Sequence, residues 1–335
     1  MRAPLMAMRR MGGMALLRVA ILGLALAQGV AFAADKVRIV AQRTGTLAWE
    51  LDVARHHGLD QKAGLIFEAV MLASPMAQKV ALKGGTADVI VADWIWVARE
   101  RALGGNLLFH PYSSTAGALM VPPGSPLKTM DDLRDRSIGV GGDSIDKSWI
   151  LLRALAARQG LVLTRDARIS YGAPPLITEK ARQREFDAVL TYWNFSAKLR
   201  AEGFTTLLDI TEVEKALGAK DSVSMLGYVF EHTWVQADRG RVDRFLHVMK
   251  QTKSILADSD AEWRRIAPLV QAGDEPSLNA LRDAYRAGVP KRGMAEETED
   301  SHTLFKVLLE TGGAELAGPI RSFDPGMFYQ PRDGS

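Results

Sequence analysis

The chain has 335 residues, 47% apolar and 24% charged, with 42 basic against 39 acidic side chains and no cysteine. That composition excludes a disulfide framework, a thiolate metal site and a lipid attached to a leading cysteine. The length is enough for a large core in one or two domains.

Residues 1–33 read as a leader for export. Arg2, Arg9 and Arg10 form a basic start, and residues 19–27 are an apolar run broken only by Gly23. Ala31-Phe32-Ala33 then offers the small-x-small pattern after which a signal peptidase cuts. The apolar run is shorter than the ~20 residues a bilayer span takes. Removing the leader takes four of the 42 bases and no acid, leaving 38 against 39 and a formal charge of −1. No basic stripe of the kind nucleic-acid binding uses remains, so no nucleic-acid partner is expected.

From Lys36 onward short apolar runs alternate with amphipathic stretches. Residues 37–41 predict a strand that ends at Gln42-Arg43-Thr44-Gly45, and residues 47–57 a helix stopped by Gly58. A second strand is expected over 66–72. Ser74 then caps a helix with Pro75 in its first position, running to about Leu82. Residues 89–92 predict a fully apolar third strand, followed by a helix over 93–103 and strands over 107–112 and 116–121. Such alternation argues for a largely parallel sheet with helices on both faces.

Pro122-Pro123-Gly124-Ser125-Pro126 then interrupts the pattern. A second series follows: strands over 137–140, 167–171 and 188–192, with helices over 146–159, 176–184 and 194–202. The apolar strand 225–230 closes it, and beyond Asp238 the chain is expected to be helical to about Leu316. Two α/β units followed by a helical tail predict a chain that builds most of lobe 1, crosses to lobe 2, and recrosses to finish lobe 1. The expected division is 34–121 plus 231–335 for lobe 1 and 122–230 for lobe 2, with crossings near 118–123 and 227–231. Ligands then bind between the lobes, at strand carboxyl ends and helix N-termini.

Those ends supply the candidate site. After the first strand stand Gln42, Arg43, Thr44 and Gly45; Arg43 offers a planar fork to a carboxylate, sulfonate or phosphate, or else forms a surface ion pair. Trp49, one turn into the next helix, is a stacking wall or a core residue. Asp93 accepts a ligand N–H or simply caps its helix. Trp94 and Trp96 are two apart, so only one can face the cleft; Trp94 is taken as that one. Gly141, Gly142, Asp143 and Ser144 precede a helix, where glycines admit a close approach and free N–H groups favour an anion; Asp143 and Asp146 oppose one, and Lys147 offsets them or lies in solvent. Tyr192, Trp193 and Asn194 combine aromatic faces with one directed amide.

The sequence contains no H-E-x-x-H, G-x-S-x-G, G-x-x-x-x-G-K-[ST] or G-x-G-x-x-G motif. Adjacent His56 and His57 cannot share one helical face, and Asp221, His232 and His247 show no ligand spacing, so nothing in the sequence argues for a metal, although carboxylate ligands leave weak signatures; no cofactor or catalytic group is expected.

Four stretches together resemble one family, the periplasmic solute-binding proteins of nitrate, sulfonate and taurine importers, which include thiamine-precursor binders. They are Arg55-His56-His57-Gly58-Leu59-Asp60 with Ala63-Gly64-Leu65; Lys83-Gly84-Gly85-Thr86-Ala87-Asp88-Val89; Ser125-Pro126-Leu127-Lys128-Thr129-Met130-Asp131-Asp132-Leu133 leading into Ser137-Ile138-Gly139-Val140; and Glu185-Phe186-Asp187-Ala188-Val189. The resemblance implies the type II periplasmic-binding fold, two Rossmann-like lobes with a hinge and a helical C-terminal segment. It also implies a monomer in the periplasm that hands a small molecule to an ABC permease and its ATPase, with ligand contacts in the Gly141-to-Ser144 loop. The similar thiamine-pyrimidine synthases carry a cysteine-rich iron motif that this chain lacks. Arg43 and the glycine loop favour a small anion such as a sulfonate. Tyr192, Trp193, Trp94 and the acids favour a flat nitrogen heterocycle, and the anion is preferred.

Overall fold

The computed structural model describes residues 34–43, 45–72 and 74–332, so the leader and Thr44 lie outside the described residues. The first unit comprises β1 (Asp35–Gln42), α1 (Thr46–His56), α2 (Leu59–Lys62), β2 (Leu65–Leu72), α3 (Pro75–Lys83), β3 (Ile90–Asp93), α4 (Trp94–Ala102) and β4 (Leu107–Ser113). Then come β5 (Ala118–Val121), β6 (Ser137–Gly141), α5 (Lys147–Arg158), α6 (Leu163–Asp166), β7 (Arg168–Gly172), α7 (Pro174–Arg182), β8 (Ala188–Thr191), α8 (Trp193–Ala201), β9 (Thr205–Asp209), α9 (Ile210–Ala216) and β10 (Leu226–Glu231). The tail is helical: α10 (His232–Ala237), α11 (Arg239–Asp258), α12 (Asp260–Val270), α13 (Glu275–Ala287) and α14 (Met294–Ala317), the last broken at Gly313. No helix among the described residues is long and apolar enough to cross a membrane.

Local chemistry sets these boundaries. Ser74 Oγ accepts the Ala77 N–H at 3.2 Å with Pro75 at the first position of α3, a pairing that satisfies a helix start without needing the proline amide. Four α/β helices, α3 to α5 and α9, begin on a Ser or Asp whose side chain caps an early amide. Strands β5 and β8 are buried at every residue, as central strands covered on both faces must be.

Two sheets result. In the first, β1 and β2 run parallel, and Val40 N–H to Val89 O (3.0 Å) ties β1 to the approach of β3. The order β3-β10-β4 continues it, with β10 antiparallel to both neighbours. The second sheet has the order β7-β6-β8-β5-β9, and there β5 is the antiparallel member. This corrects the expected division of the chain. The strand 118–121 belongs to the second sheet and 226–231 to the first, so the crossings are the segments 114–117 and 218–225. Apolarity marks a strand but does not say which sheet it enters.

Each exchanged strand meets its host so closely that glycine is required. A Cβ on Gly117 would lie 2.0 Å from Thr191 O, and one on Gly227 would lie 2.2 Å from the Phe109 ring. The tail also does more than finish the first unit. α14 packs Phe305 on Trp94 and brings Gly312 against Ile150 of α5, while Lys198 of α8 donates to Gln271 O at 3.0 Å.

Buried carboxylates hold the second crossing. Glu214 Oε2 accepts the Val223 N–H (3.1 Å), Glu297 Oε1 accepts that of Ser224 (2.5 Å), and Asp300 Oδ2 accepts those of Lys220 and Asp221. Burial pushes the Glu214 carboxyl up to about 8 despite the Val223 bond, with Glu297, Asp209 and Asp300 adding to the rise. Its folded pKa thus exceeds its ordinary 4.5, so its stabilising contribution is complete below about 4.5 and is lost as pH rises through about 8. Melting temperature should fall across that window, and Glu214→Gln, which keeps the acceptor, should flatten the fall. Parallel profiles for the two proteins would contradict this role.

Candidate functional site

The carboxyl ends of the two sheets meet. Asp93 ends β3 and caps α4, its Oδ1 accepting the Trp96 N–H at 2.9 Å. From the other unit Lys147, first residue of α5, brings Nζ to 3.4 Å from Asp93 Oδ1, and Lys79 of α3 stands 3.8 Å from Oδ2. Lys79 also lies over the Trp96 ring, 4.7 Å from its centroid. On the second unit's side Asp146 caps α5, accepting the Trp149 N–H at 3.2 Å, and accepts the Tyr192 hydroxyl at 3.3 Å. The result is a mixed-charge patch of two lysines and two carboxylates with Trp96 and Tyr192 beside them.

Burial and pairing compete at each group. Burial pushes the Asp93 carboxyl up, but Lys147, Lys79 and the Trp96 amide outweigh it and hold it below its ordinary value. Lys147 is pulled down by burial and raised further by Asp93 and Asp146, ending above its ordinary value. For Lys79 burial wins over Asp93, so it sits low. Asp146 is raised by burial, and Tyr192 by burial and then by Asp146. Asp93 and Lys147 therefore form a charged pair across the two units, with side chains only 13% and 28% exposed.

A second bridge is aromatic. Trp49 of α1 and Trp193 of α8 meet edge to face with centroids 6.3 Å apart, and Trp49 makes the same contact with Trp263 at 6.0 Å. Trp49 is 4% exposed within a cluster that includes Leu278, Leu281 and Tyr285; Trp193 is half-buried at its edge.

Several expected residues stand elsewhere. Trp94 is fully buried against Phe305 and Phe323, so Trp96, not Trp94, is the tryptophan at the patch. The glycine loop does not offer a bare set of amides. Gly142 N–H is used by Gly172 O (2.8 Å), Ile145 N–H by Asp143 Oδ1 (3.1 Å), and Ser144 Oγ is bonded to Glu315. Gly142 is at φ +144° with Asp146 Cβ 3.0 Å from where its own Cβ would be, so a side chain has neither the conformation nor the room; Gly141 is buried beside Thr191. Gln42 is half-buried at the end of β1, Gly45 caps α1 without a side chain, and Asn194 is half-buried with no side-chain hydrogen bond among the described residues. Arg43 is exposed and makes neither a hydrogen bond nor an ion pair among the described residues.

Sequence reasoning missed Lys79, which sits mid-helix without any motif, and a buried charge on α1. Glu50, next to Trp49, is 0% exposed. It accepts from Lys253 Nζ (2.5 Å), Tyr285 (2.7 Å) and Tyr228 (3.1 Å), and Lys253 lies 4.0 Å from the Tyr112 ring centroid. Glu50 stands between the apolar Trp49 and Leu51 in α1, and its partners lie roughly 180 to 240 positions away, too far for any local pattern to pair them.

No protein-family profile matches the sequence, and no curated protein sequence matches it. Solved structures do. The alkanesulfonate-binding protein SsuA of Xanthomonas axonopodis pv. citri, bound to MOPS, superposes with a TM-score of 0.66 at 18% identity over 89% of this chain and 99% of that one. The periplasmic aliphatic sulphonate binding protein SsuA of Escherichia coli gives 0.70 at 17% identity over 89% and 93%. The desulfurization enzyme DSZB gives 0.54 at 14% identity over 83% and 92%. The chain therefore has the type II periplasmic-binding fold, a fold that also carries an enzyme.

The two bridging tryptophans should separate on mutation. Trp49→Ala should cost about 3–5 kcal/mol in urea unfolding, the range for a buried aromatic. Trp193→Ala should cost clearly less, chiefly an edge-to-face pair of about 0.5–1.5 kcal/mol with some lost burial. Equal losses would place Trp193 in the core and remove it from the cleft.

Proposed function

We propose that the chain is the solute-capturing component of an ABC importer, which holds one small molecule between its two units and presents it to a membrane permease and its ATPase. The Asp93–Lys147 pair carries this reading, because it joins side chains at the carboxyl ends of both sheets, where open α/β folds take ligands. A protein of this role works as an exported monomer, in keeping with a leader cut after Ala33, and no chemistry is asked of it.

The favoured ligand is a small sulfonate. Lys79, Lys147 and Arg43, which has no partner among the described residues, supply cations, and both solved sulfonate binders share the fold. Asp93, Asp143 and Asp146 add a second, acidic side to the patch, which suits a molecule carrying an amine at its other end, as taurine does. Nitrate has no such end. Trp96, Tyr192 and Trp193 give the rival reading, a flat nitrogen heterocycle stacked on aromatic faces.

Titration calorimetry with taurine, a simple alkanesulfonate, nitrate and an aminopyrimidine separates these readings. Sulfonates should bind one per chain, taurine the tighter. Lys147→Met should weaken binding at least about tenfold, or about 1.4 kcal/mol. Binding of the aminopyrimidine with none of either sulfonate would overturn the sulfonate reading in favour of the heterocycle.

A further inference from the structure

Adjacent histidines at a helix end do not stay on opposite sides once the helix stops. His56 is the last residue of α1 and His57 its C-cap, at φ −88° and ψ 0°. Their rings converge edge to face with centroids 5.0 Å apart. From the neighbouring helix Glu262, third residue of α12, brings its Oε2 to 3.4 Å from His57 Nε2. One ligand atom from each of His56, His57 and Glu262 lies within 4.8 Å of the others, the one such group of three among the described residues.

Two further observations point to an ion. His57 Nε2 is buried and has no hydrogen-bond partner, since its contact with Glu262 fails hydrogen-bond geometry. Glu262 is already oriented: Arg265 Nε holds Oε1 at 2.8 Å, leaving Oε2 to face the imidazoles. Arg265 in turn reaches Asp52 Oδ1 at 2.5 Å, one helical turn before His56, so the guanidinium that orients Glu262 is itself anchored to the histidines' own helix.

We propose that His56, His57 and Glu262 form a binding site for a divalent transition-metal ion of the zinc class. Two imidazoles and one carboxylate match the borderline preferences of zinc, nickel or copper and not the all-oxygen preference of magnesium or calcium. Metal bonds of about 2.0–2.2 Å in a tetrahedron set ligand atoms about 3.4 Å apart. The His57–Glu262 pair already has that spacing, and His56, exposed, closes the remainder by rotating its ring. The ion would staple the end of α1 to the start of α12. It is not cargo of the cleft, because α1 starts at the carboxyl end of β1 and its eleven residues carry the histidines about 15 Å away.

The test uses untagged protein stripped with a chelator and titrated with zinc chloride by calorimetry, with melting temperature as a second readout. One zinc per chain should bind and raise the melting temperature, and magnesium should do neither. His57→Ala and the exposed-site variant His56→Ala should each weaken zinc binding by at least about tenfold. Zinc binding that survives unchanged in the His56→Ala, His57→Ala double variant would assign the ion to other groups and overturn the proposal. So would a wild-type titration without saturable binding.

Discussion

Each of the two sheets is completed by a strand that the chain delivers from the other. β5 arrives from the first unit and inserts antiparallel between β8 and β9; β10 arrives from the second and inserts antiparallel between β3 and β4. Both insertions are central, so neither sheet closes its core without the exchange. Two short crossings therefore set the distance between the units, and the glycines at Gly117 and Gly227 let the exchanged strands seat at contacts a side chain would block. With the units joined this way, the carboxyl ends of the parallel strands face each other, and Asp93 meets Lys147 there. That contact between the two units is a consequence of the connectivity.

The first unit is stiffened by a buried ion pair on α1. Glu50 and Lys253 are a fully buried pair, and burying two charges costs several kcal/mol each unless the remaining hydrogen-bonding capacity is met. Here it is met by two tyrosine hydroxyls on Glu50 and by aromatic faces around Lys253, from β4, β10 and α13. Removing a single partner from such a pair costs about 3–5 kcal/mol, so the network fixes how α1, α11 and α13 pack. α1 also carries Trp49, and α13 packs beside it, so the ion pair holds the aromatic bridge in place. At the second crossing Glu214, Glu297 and Asp300 do similar work on backbone amides that no strand or helix pairs.

Most of the fold was legible in the sequence, because strand and helix periods and cap residues are local signals. The strand over 37–41, the Ser74-Pro75 helix start and the 188–192 strand all stand within a few residues of where the pattern puts them. What the sequence hid depends on partners. Apolar runs at 118–121 and 226–231 look alike whichever sheet they enter. Trp94 and Trp96 are interchangeable on paper; the packing of Phe305 and Phe323 buries the first and leaves the second beside Lys79. The Gly141-Gly142 loop looked ready for an anion until the carboxylates of Asp143 and Asp146 were seen to serve its amides and those of α5. His56 and His57 converge because α1 ends between them, a boundary effect that helical periodicity does not describe.

In the clamp we propose, the two units part to admit a ligand and reclose on it around the Asp93–Lys147 contact, as hinge proteins do. Small-angle X-ray scattering with and without the tightest-binding sulfonate tests this directly. The radius of gyration should be smaller at saturation than in ligand-free protein. An identical scattering profile in the two states would contradict a clamp that opens and closes.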